Sequence, residues 1–345
     1  MPVTVSADAL EGFIRDIFEA AGVSADDAAA AAPSFVWASL RGVDSHGISR
    51  VPRYVEMFGS GVANPRPAIV IDDAAPGVAV VDADFAPGPV ALTQAADLAI
   101  EKARTQGVAV VSVRNTVHTG AIGYYVSRIA DAGLVGIGIA AGSPMMSYEG
   151  AVGASVATSP LAIAVPGTGD KPAVLLDMAS SLIALGKIAQ YKREGKPLPE
   201  GSATTADGTP TTDPELAKIP TPLGGPKGSG LSLMFELLTS VLVTAPILTK
   251  YHAGEKKHRQ NATLIVLDPA AFGSAEEFAA NVDATIDTIH GLPKAEGVEQ
   301  ILVPGERSAG TLERRSAAGI PVGDKLWAEL VETAAALGVA VPEAA

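Results

Sequence analysis

Apolar side chains recur at helical spacing from the start of the chain. Leu10, Phe13, Ile14, Ile17 and Phe18 fall on one face after Ser6, and Gly22 ends the run. Ser24 followed by Asp27 has the form of a capping box for a second, alanine-rich helix that ends in Phe35, Val36, Trp37 and Leu40, with Pro33 as the place for a kink. A third helix is expected from Asp44 or Ser45, carrying Ile48, Val51 and Val55 until Gly59 and Gly61 stop it. Past the proline-bearing stretch ANPRPAIV the period shortens. Runs such as VAVVDA, GVAVVSV and LVGIGIA have the texture of buried strands and alternate with helical stretches at 91–103 and 120–132. Further strands are expected at 161–166, 173–178 and 262–268. The polar, Pro/Gly-rich stretch 192–214 reads as a long surface loop that does not pack, and the helical stretch 324–337 is placed to return onto the N-terminal helices.

Composition narrows the class. With 345 residues, 48% of them hydrophobic and 18% charged, the chain can bury a sizeable core in two structural units of an α/β enzyme. A net charge of −13 repels phosphate backbones and anionic lipid, so neither nucleic acid nor a membrane surface is an expected partner. A small anionic substrate would need a local cluster of cations. The absence of cysteine excludes disulfides, thiolate catalysis and cysteine-ligated metals. No signal peptide is visible in MPVTVSADALEGFIRDIF, and the most apolar stretch, 231–248, is broken by Glu236 and Pro246, so a cytoplasmic location is expected.

The densest polar constellation is RGVDSHGISRVPRYV, residues 41–55. His46 stands at an expected helix start, and Arg50, four residues on, shares its face. A guanidinium can fork onto a substrate carboxylate while an imidazolium gives a proton to a ketone oxygen as hydride reaches carbon. The same pair would also arise from a helix-capping histidine beside a solvated arginine. In GVAVVSVRNTVHTGAIGYY a strand runs into His118 and a helix starts near Gly120, so free amides at a positive helix end face the sheet edge, where phosphate, cofactor or substrate would bind. Strand-to-helix turns with small residues are also common without a ligand. PLGGPKGSGLSLMFELL brings Lys227 and glycine amides to another helix start, as an anion site or as a plain flexible loop. Lys227 is followed by Gly228, so this is no Walker A motif. Gly136, Gly138 and Ala141 imitate a dinucleotide fingerprint, but they lie inside a strand-like run and Thr158 stands where an acid should follow. His252 and His258 flank a charged loop with only Glu255 between them, and no metal site is expected there.

Taken in order along nearly the whole chain, RGVDSHGISRVPRYV, NTVHTGAIGYY, ATSPLAIAVP, LDMASS, GKPLPEG with GTPTTDP, PLGGPKGSGLSLMFELL and PGERS resemble the malate/L-lactate dehydrogenase family. Its members include sulfolactate, ureidoglycolate and 2,3-diketogulonate oxidoreductases and cyclic-imine carboxylate reductases. The resemblance implies an α/β, non-Rossmann fold: a mixed or mainly antiparallel seven-stranded sheet flanked by helices, with a helical N-terminal part. It also implies subunits that complete each other's sites, hence a homodimer or higher even homo-oligomer. The expected units are a helical domain over 1–75 with 312–345 packed back on it, and a cofactor-binding domain over 76–311 with an insertion around 185–220. The implied activity is hydride transfer between NAD or NADP, with NAD preferred, and a small 2-hydroxy or 2-oxo acid. Cyclic or N-alkyl imino acids are the alternative substrates, and a non-catalytic dinucleotide-binding oligomer is the alternative of another class. By motif position Ser45 and His46 would be the catalytic pair, Arg50 and His118 would hold substrate, and Tyr148, in a stretch with Met145 and Met146 that departs from the family pattern, would wall its pocket. His118, Thr119, Gly120, Ala121, Ile122, Thr158, Asp177, Met178, Ala179, Lys227, Gly228, Gly305, Glu306 and Arg307 would line the cofactor. Some members complete a Ser-His relay with an aspartate near the position of Gly186 and Lys187; no acid stands there in this chain.

Overall fold

The computed structural model describes residues 3–343. Strand β1 (Val3–Val5) leads into helix α1 (Ala7–Ala20), whose first turn is closed by Ala9 N–H donating to Ser6 Oγ at 3.2 Å. Helix α2 (Ala25–Leu40) begins with the expected box: Asp27 N–H donates to Ser24 Oγ, and Ser24 O–H returns a bond to the Asp27 carboxylate at 2.8 Å. It continues through Pro33.

The third helix starts later than the spacing predicts. Residues 44–50 form two 3₁₀ turns, Asp44–His46 and Ile48–Arg50, and α3 (Val51–Gly59) begins only at Val51, with Pro52 in its first turn. The break is at Gly47. A methyl group there would lie 2.1 Å from Ser39 Oγ, the acceptor for Ile48 N–H at 3.0 Å, so the chain crosses α2 too closely to keep an α-helical path. His46 and Arg50 are therefore not stacked on one α-helical face. Instead Arg50 Nε donates to the Ser45 carbonyl at 2.6 Å.

Next come β2 (Val70–Ala75), β3 (Val78–Asp82), α4 (Gly88–Gln106), β4 (Val108–Thr116), α5 (Ile122–Asp131), β5 (Val135–Gly142), β6 (Pro160–Val165) and β7 (Val174–Ala179). After α6 (Leu185–Glu194) and the short pair β8 (Ala203–Thr204) and β9 (Ile219–Pro220), helix α7 (Pro226–Glu236) runs on into a π-helical turn, Leu237–Val241. Then follow α8 (Leu248–His252), β10 (Gln260–Leu267), α9 (Ala275–His290), α10 (Glu306–Ala318), β11 (Ile320–Val322) and α11 (Asp324–Leu337).

The central sheet has seven strands in the order β2-β3-β4-β10-β5-β6-β7. Only β3 and β4 pair in parallel, joined by the α4 crossover; every other neighbouring pair is antiparallel. Such a sheet has no Rossmann strand order. The fingerprint-like glycines have another use: a methyl at Gly138 would lie 2.7 Å from Ile122 Cγ2, and one at Gly136 would lie 3.0 Å from Ile129 Cβ. They let α5 press onto β5.

Among the described residues, apolar side chains gather in three places. The largest core joins the sheet to α4 and α5 through Val81, Val111, Ile129 and Leu264. A second joins α1, α2 and α3 to β1, β11 and α11. The third corrects the reading of 192–214: α6 extends through Glu194, and Leu198 and Ala203 are buried with Ile183, Ile188 and Ala217 against Tyr191. The stretch carries too few apolar residues to show a period, but those few meet one another.

Candidate active site

Two turns meet in one cleft. The 44–50 turns bring Ser45, His46 and Arg50, and the β4–α5 connection brings His118. The two imidazoles lie nearly parallel, with centroids 5.5 Å apart and planes 19° from parallel. His46 Nδ1 is 3.0 Å from Ser45 Oγ. Burial, then the Arg50 charge, pushes His46 down to about 4, so its imidazole is neutral at pH 7. Burial also holds His118 well below its ordinary value, reinforced by His46, Arg50 and His258. His258 is thus not merely solvated: though exposed, it is close enough to disfavour a charge on His118.

Arg50 is the free cation of this cleft. Its Nε is spent on Ser45, yet among the described residues it joins no ion pair. The acids nearest in sequence are taken elsewhere, Glu56 by Arg53 and Asp44 by Arg315, whose guanidinium also donates to the Ser39 carbonyl. Gly186 at the start of α6 packs against Ser45, where a methyl would lie 2.8 Å from Ser45 Cβ. A side chain at that position would displace Ser45, so α6 brings no acid to orient His46.

The β4–α5 connection is clamped throughout. The Thr119 amide and hydroxyl both donate to Gln260 Oε1 at 2.8 Å, and Tyr125 O–H donates to the Thr119 carbonyl at 2.7 Å. Gly120, at φ 73°, turns the chain into α5, whose N-terminus at Ala121 and Ile122 has no side-chain cap. Gly123 N–H donates to Asp177 Oδ2 at 3.1 Å, and a Cβ at Gly123 would meet both Asp177 and Trp37. The Asp177 carboxyl, on β7 beside Met178 and Ala179, is pushed up to about 6 by surrounding protein, although solvent still reaches it. On the other side of β7, Leu175 N–H donates to the Pro304 carbonyl at 3.0 Å, bringing up Gly305 and the N-terminus of α10, which also lacks a side-chain cap. Two helix starts, one held by the Asp177 carboxylate and one without a side-chain cap, therefore meet the same strand.

Several expected residues have different surroundings. The Glu306 carboxylate is occupied by Val303 N–H at 2.8 Å and by His290 at 3.0 Å, leaving only backbone of that turn for a ligand. Arg307 is exposed, and Arg41, which the motif reading passed over, donates to Ser308 Oγ at 3.1 Å while its guanidinium lies 5.0 Å above the Trp37 ring. Gly228 is committed to packing: a methyl there would lie 2.3 Å from the Ser180 carbonyl oxygen. The Thr158 carbonyl accepts Ser180 N–H at 3.3 Å. Tyr148 lines a recess of about 360 Å³ with Glu149, Leu182, Gly224 and Gly225, next to Lys227 in sequence at the start of α7. Met146 is fully buried in a bridge to Val156 and walls no pocket.

Tyr54 is the residue of this cleft least visible in the sequence. It sits on α3 inside an aromatic box of Phe18, Phe35 and Phe58, and its hydroxyl reaches His118. The only signal was its position four residues after Arg50.

A sequence profile of the family described as malate/L-lactate dehydrogenase matches residues 5–331. The chain is similar to a malate dehydrogenase of Pyrococcus horikoshii, 36% identical with 98% of this chain and 96% of the relative covered. It is also similar to a ureidoglycolate dehydrogenase (NAD(+)) of Escherichia coli O157:H7, 32% identical with 96% and 95% covered. Among solved structures, a delta1-piperideine-2-carboxylate reductase of Pseudomonas syringae superposes with a TM-score of 0.85 at 31% identity, covering 96% of this chain and 99% of that one.

Proposed function

The chain belongs to the malate/L-lactate dehydrogenase family, and on that premise we propose that it moves a hydride between NAD and a small 2-hydroxy or 2-oxo acid. The observation that carries this reading is Arg50, an arginine that joins no ion pair among the described residues, beside the stacked His46 and His118 in an otherwise acidic protein. In this reading Arg50 forks onto the substrate carboxylate. His46, steadied by Ser45, gives a proton to the ketone oxygen during reduction and takes it back from the hydroxyl during oxidation. His118 hydrogen-bonds the same oxygen.

The donor set suits a dinucleotide. The start of α10, which has no side-chain cap, would offer its amides to the cofactor's phosphates through the turn Gly305 to Arg307, and the turn Thr119 to Ile122 would line the cofactor beside β7. When bound, the nicotinamide supplies or accepts the hydride. Asp177, held on Gly123 N–H at the start of α5, would accept hydrogen bonds from ribose hydroxyls and disfavour an added phosphate there, which is why we propose NAD over NADP. We further propose a homodimer. Leu233, Met234, Leu237, Leu238, Val241 and Leu242 form a continuous apolar face along α7 and its π turn, 37–62% exposed, and a second copy of the chain would cover it.

The test is nicotinamide absorbance with NADH or NADPH against pooled 2-oxo acids, with and without amines. NADH consumption with a 2-oxo acid alone is expected, and His46→Asn should reduce kcat by about two to four orders of magnitude with cofactor affinity retained. Turnover only when an amine is present would favour imino acids, a second reading supported by the likeness to the carboxylate-imine reductase. Full activity in His46→Asn would remove His46 from the chemistry.

A further inference from the structure

The hydrogen bonds around His118 settle more than its position. Its carbonyl oxygen accepts Gly88 N–H at 3.1 Å and Tyr54 O–H at 2.6 Å. Tyr54 Oη is also 3.0 Å from His118 Nδ1, and Gly120 N–H donates to that same Nδ1 at 3.3 Å. A peptide N–H carries its hydrogen in a fixed direction and has no lone pair to offer, so a nitrogen facing it must be bare. The Tyr54 hydroxyl has one hydrogen, which the His118 carbonyl accepts, and with Gly120 N–H on Nδ1 the hydroxyl faces a bare nitrogen there as well. Burial among Phe18, Phe35 and Phe58 raises its ionisation far above the ordinary range, so that hydrogen stays in place.

We propose that Tyr54 is a positioning residue which, together with the Gly120 amide, locks His118 as a neutral imidazole carrying its proton on Nε2. His118 then serves as a fixed hydrogen-bond donor to the reacting oxygen and never as the proton carrier. Taking up a second proton would require Nδ1–H to point at Gly120 N–H. The charged and titratable groups that face the ring, His46, Arg50 and His258, are all cationic or become so, and each opposes that step. The proton exchanged with substrate must therefore pass through His46 alone. Two imidazoles 5.5 Å apart do unequal work: one titrates and the other polarises the carbonyl without changing charge.

This deepens the proposed function, resting on its assignment of the reacting oxygen to this cleft, but it is tested without substrate. The chain has five histidines, so long-range nitrogen–proton NMR of histidine-labelled full-length protein resolves each ring, with His118→Gln providing the assignment. The expected wild-type spectrum has His118 Nε2 protonated, Nδ1 bare, and neither moving as the pH is lowered through the range where His46 titrates. In Tyr54→Phe, which keeps the ring in its box, one of the two donors is gone. A share of the Nδ1–H form should appear, and kcat should fall about threefold to tenfold while cofactor affinity holds. A protonated Nδ1 in the wild type, or a His118 that titrates together with His46, overturns the proposal, as does a Tyr54→Phe protein with unchanged tautomer and kcat. The wild-type spectrum decides even if the variant does not fold. If the locked tautomer is found but no 2-oxo acid or imine is turned over, the functional reading fails and the assignment of Tyr54 stands.

Discussion

His46 has the ordinary sequence context of a helix start, yet its ionisation in the folded protein is far from ordinary. An unfolded histidine titrates near 6.5 and this one at about 4, so the folded state resists the proton that the unfolded chain accepts. The stability it contributes is complete above pH 6.5 and is lost as the pH falls from there towards about 4. The thermal midpoint of the ligand-free protein should therefore drop across that window, and His46→Asn should flatten part of the drop; identical curves would show that His46 stays solvated. A carboxylate bound on Arg50 removes the like-charge contribution, so the group governing kcat should titrate higher than the one governing kcat/KM. Ser45, His46, Arg50 and His118 were legible because polar residues beside glycines, between apolar runs, have few structural excuses. Tyr54 was not, because an aromatic at helical spacing has the same pattern whether its hydroxyl is idle or bonded.

Between residues and whole fold lie the turns, and here local pattern and tertiary contact disagree. Ile48, Val51 and Val55 do follow a helical period, but Gly47 crosses Ser39, and nothing in the sequence of either segment announces the crossing. Gly47→Ala should cost about 1–3 kcal/mol of stability through overpacking and raise KM for the acid by shifting Arg50; a midpoint and KM matching the wild type would show that the crossing is slack. The strands from β3 to β7 and β10 could be read from their buried, branched side chains. The edge strand β2 could not, since VIDDAA pairs on one side only and carries two aspartates. The cluster of Leu198, Ala203 and Ala217 was missed for a related reason: isolated apolar residues among prolines and glycines have no period, and only the folded path shows that they share one small core.

For the molecule as a whole, the antiparallel sheet was legible only through resemblance, because strand order is set by contacts between segments far apart in sequence. The α7 face makes a prediction at this scale. Met234→Glu with Leu238→Glu, both exposed in the single chain, should leave a folded monomer by light scattering; an unchanged mass would move the dimer seat elsewhere. The pairing of β1 with β11 has a different kind of consequence. Val3 to Val5 hydrogen-bond to Ile320 to Val322, α11 covers α1 and α3, and Arg315 holds Asp44 at the head of the His46 turn. During synthesis the first helices are made early but wait for the last tenth of the chain before their strand has a neighbour or their outer face a cover. The backing of the 44–50 turns is thus completed at the end, and a chain released before residue 320 would have every residue of the candidate site but neither the strand that pairs with β1 nor the helix that covers α1 and α3.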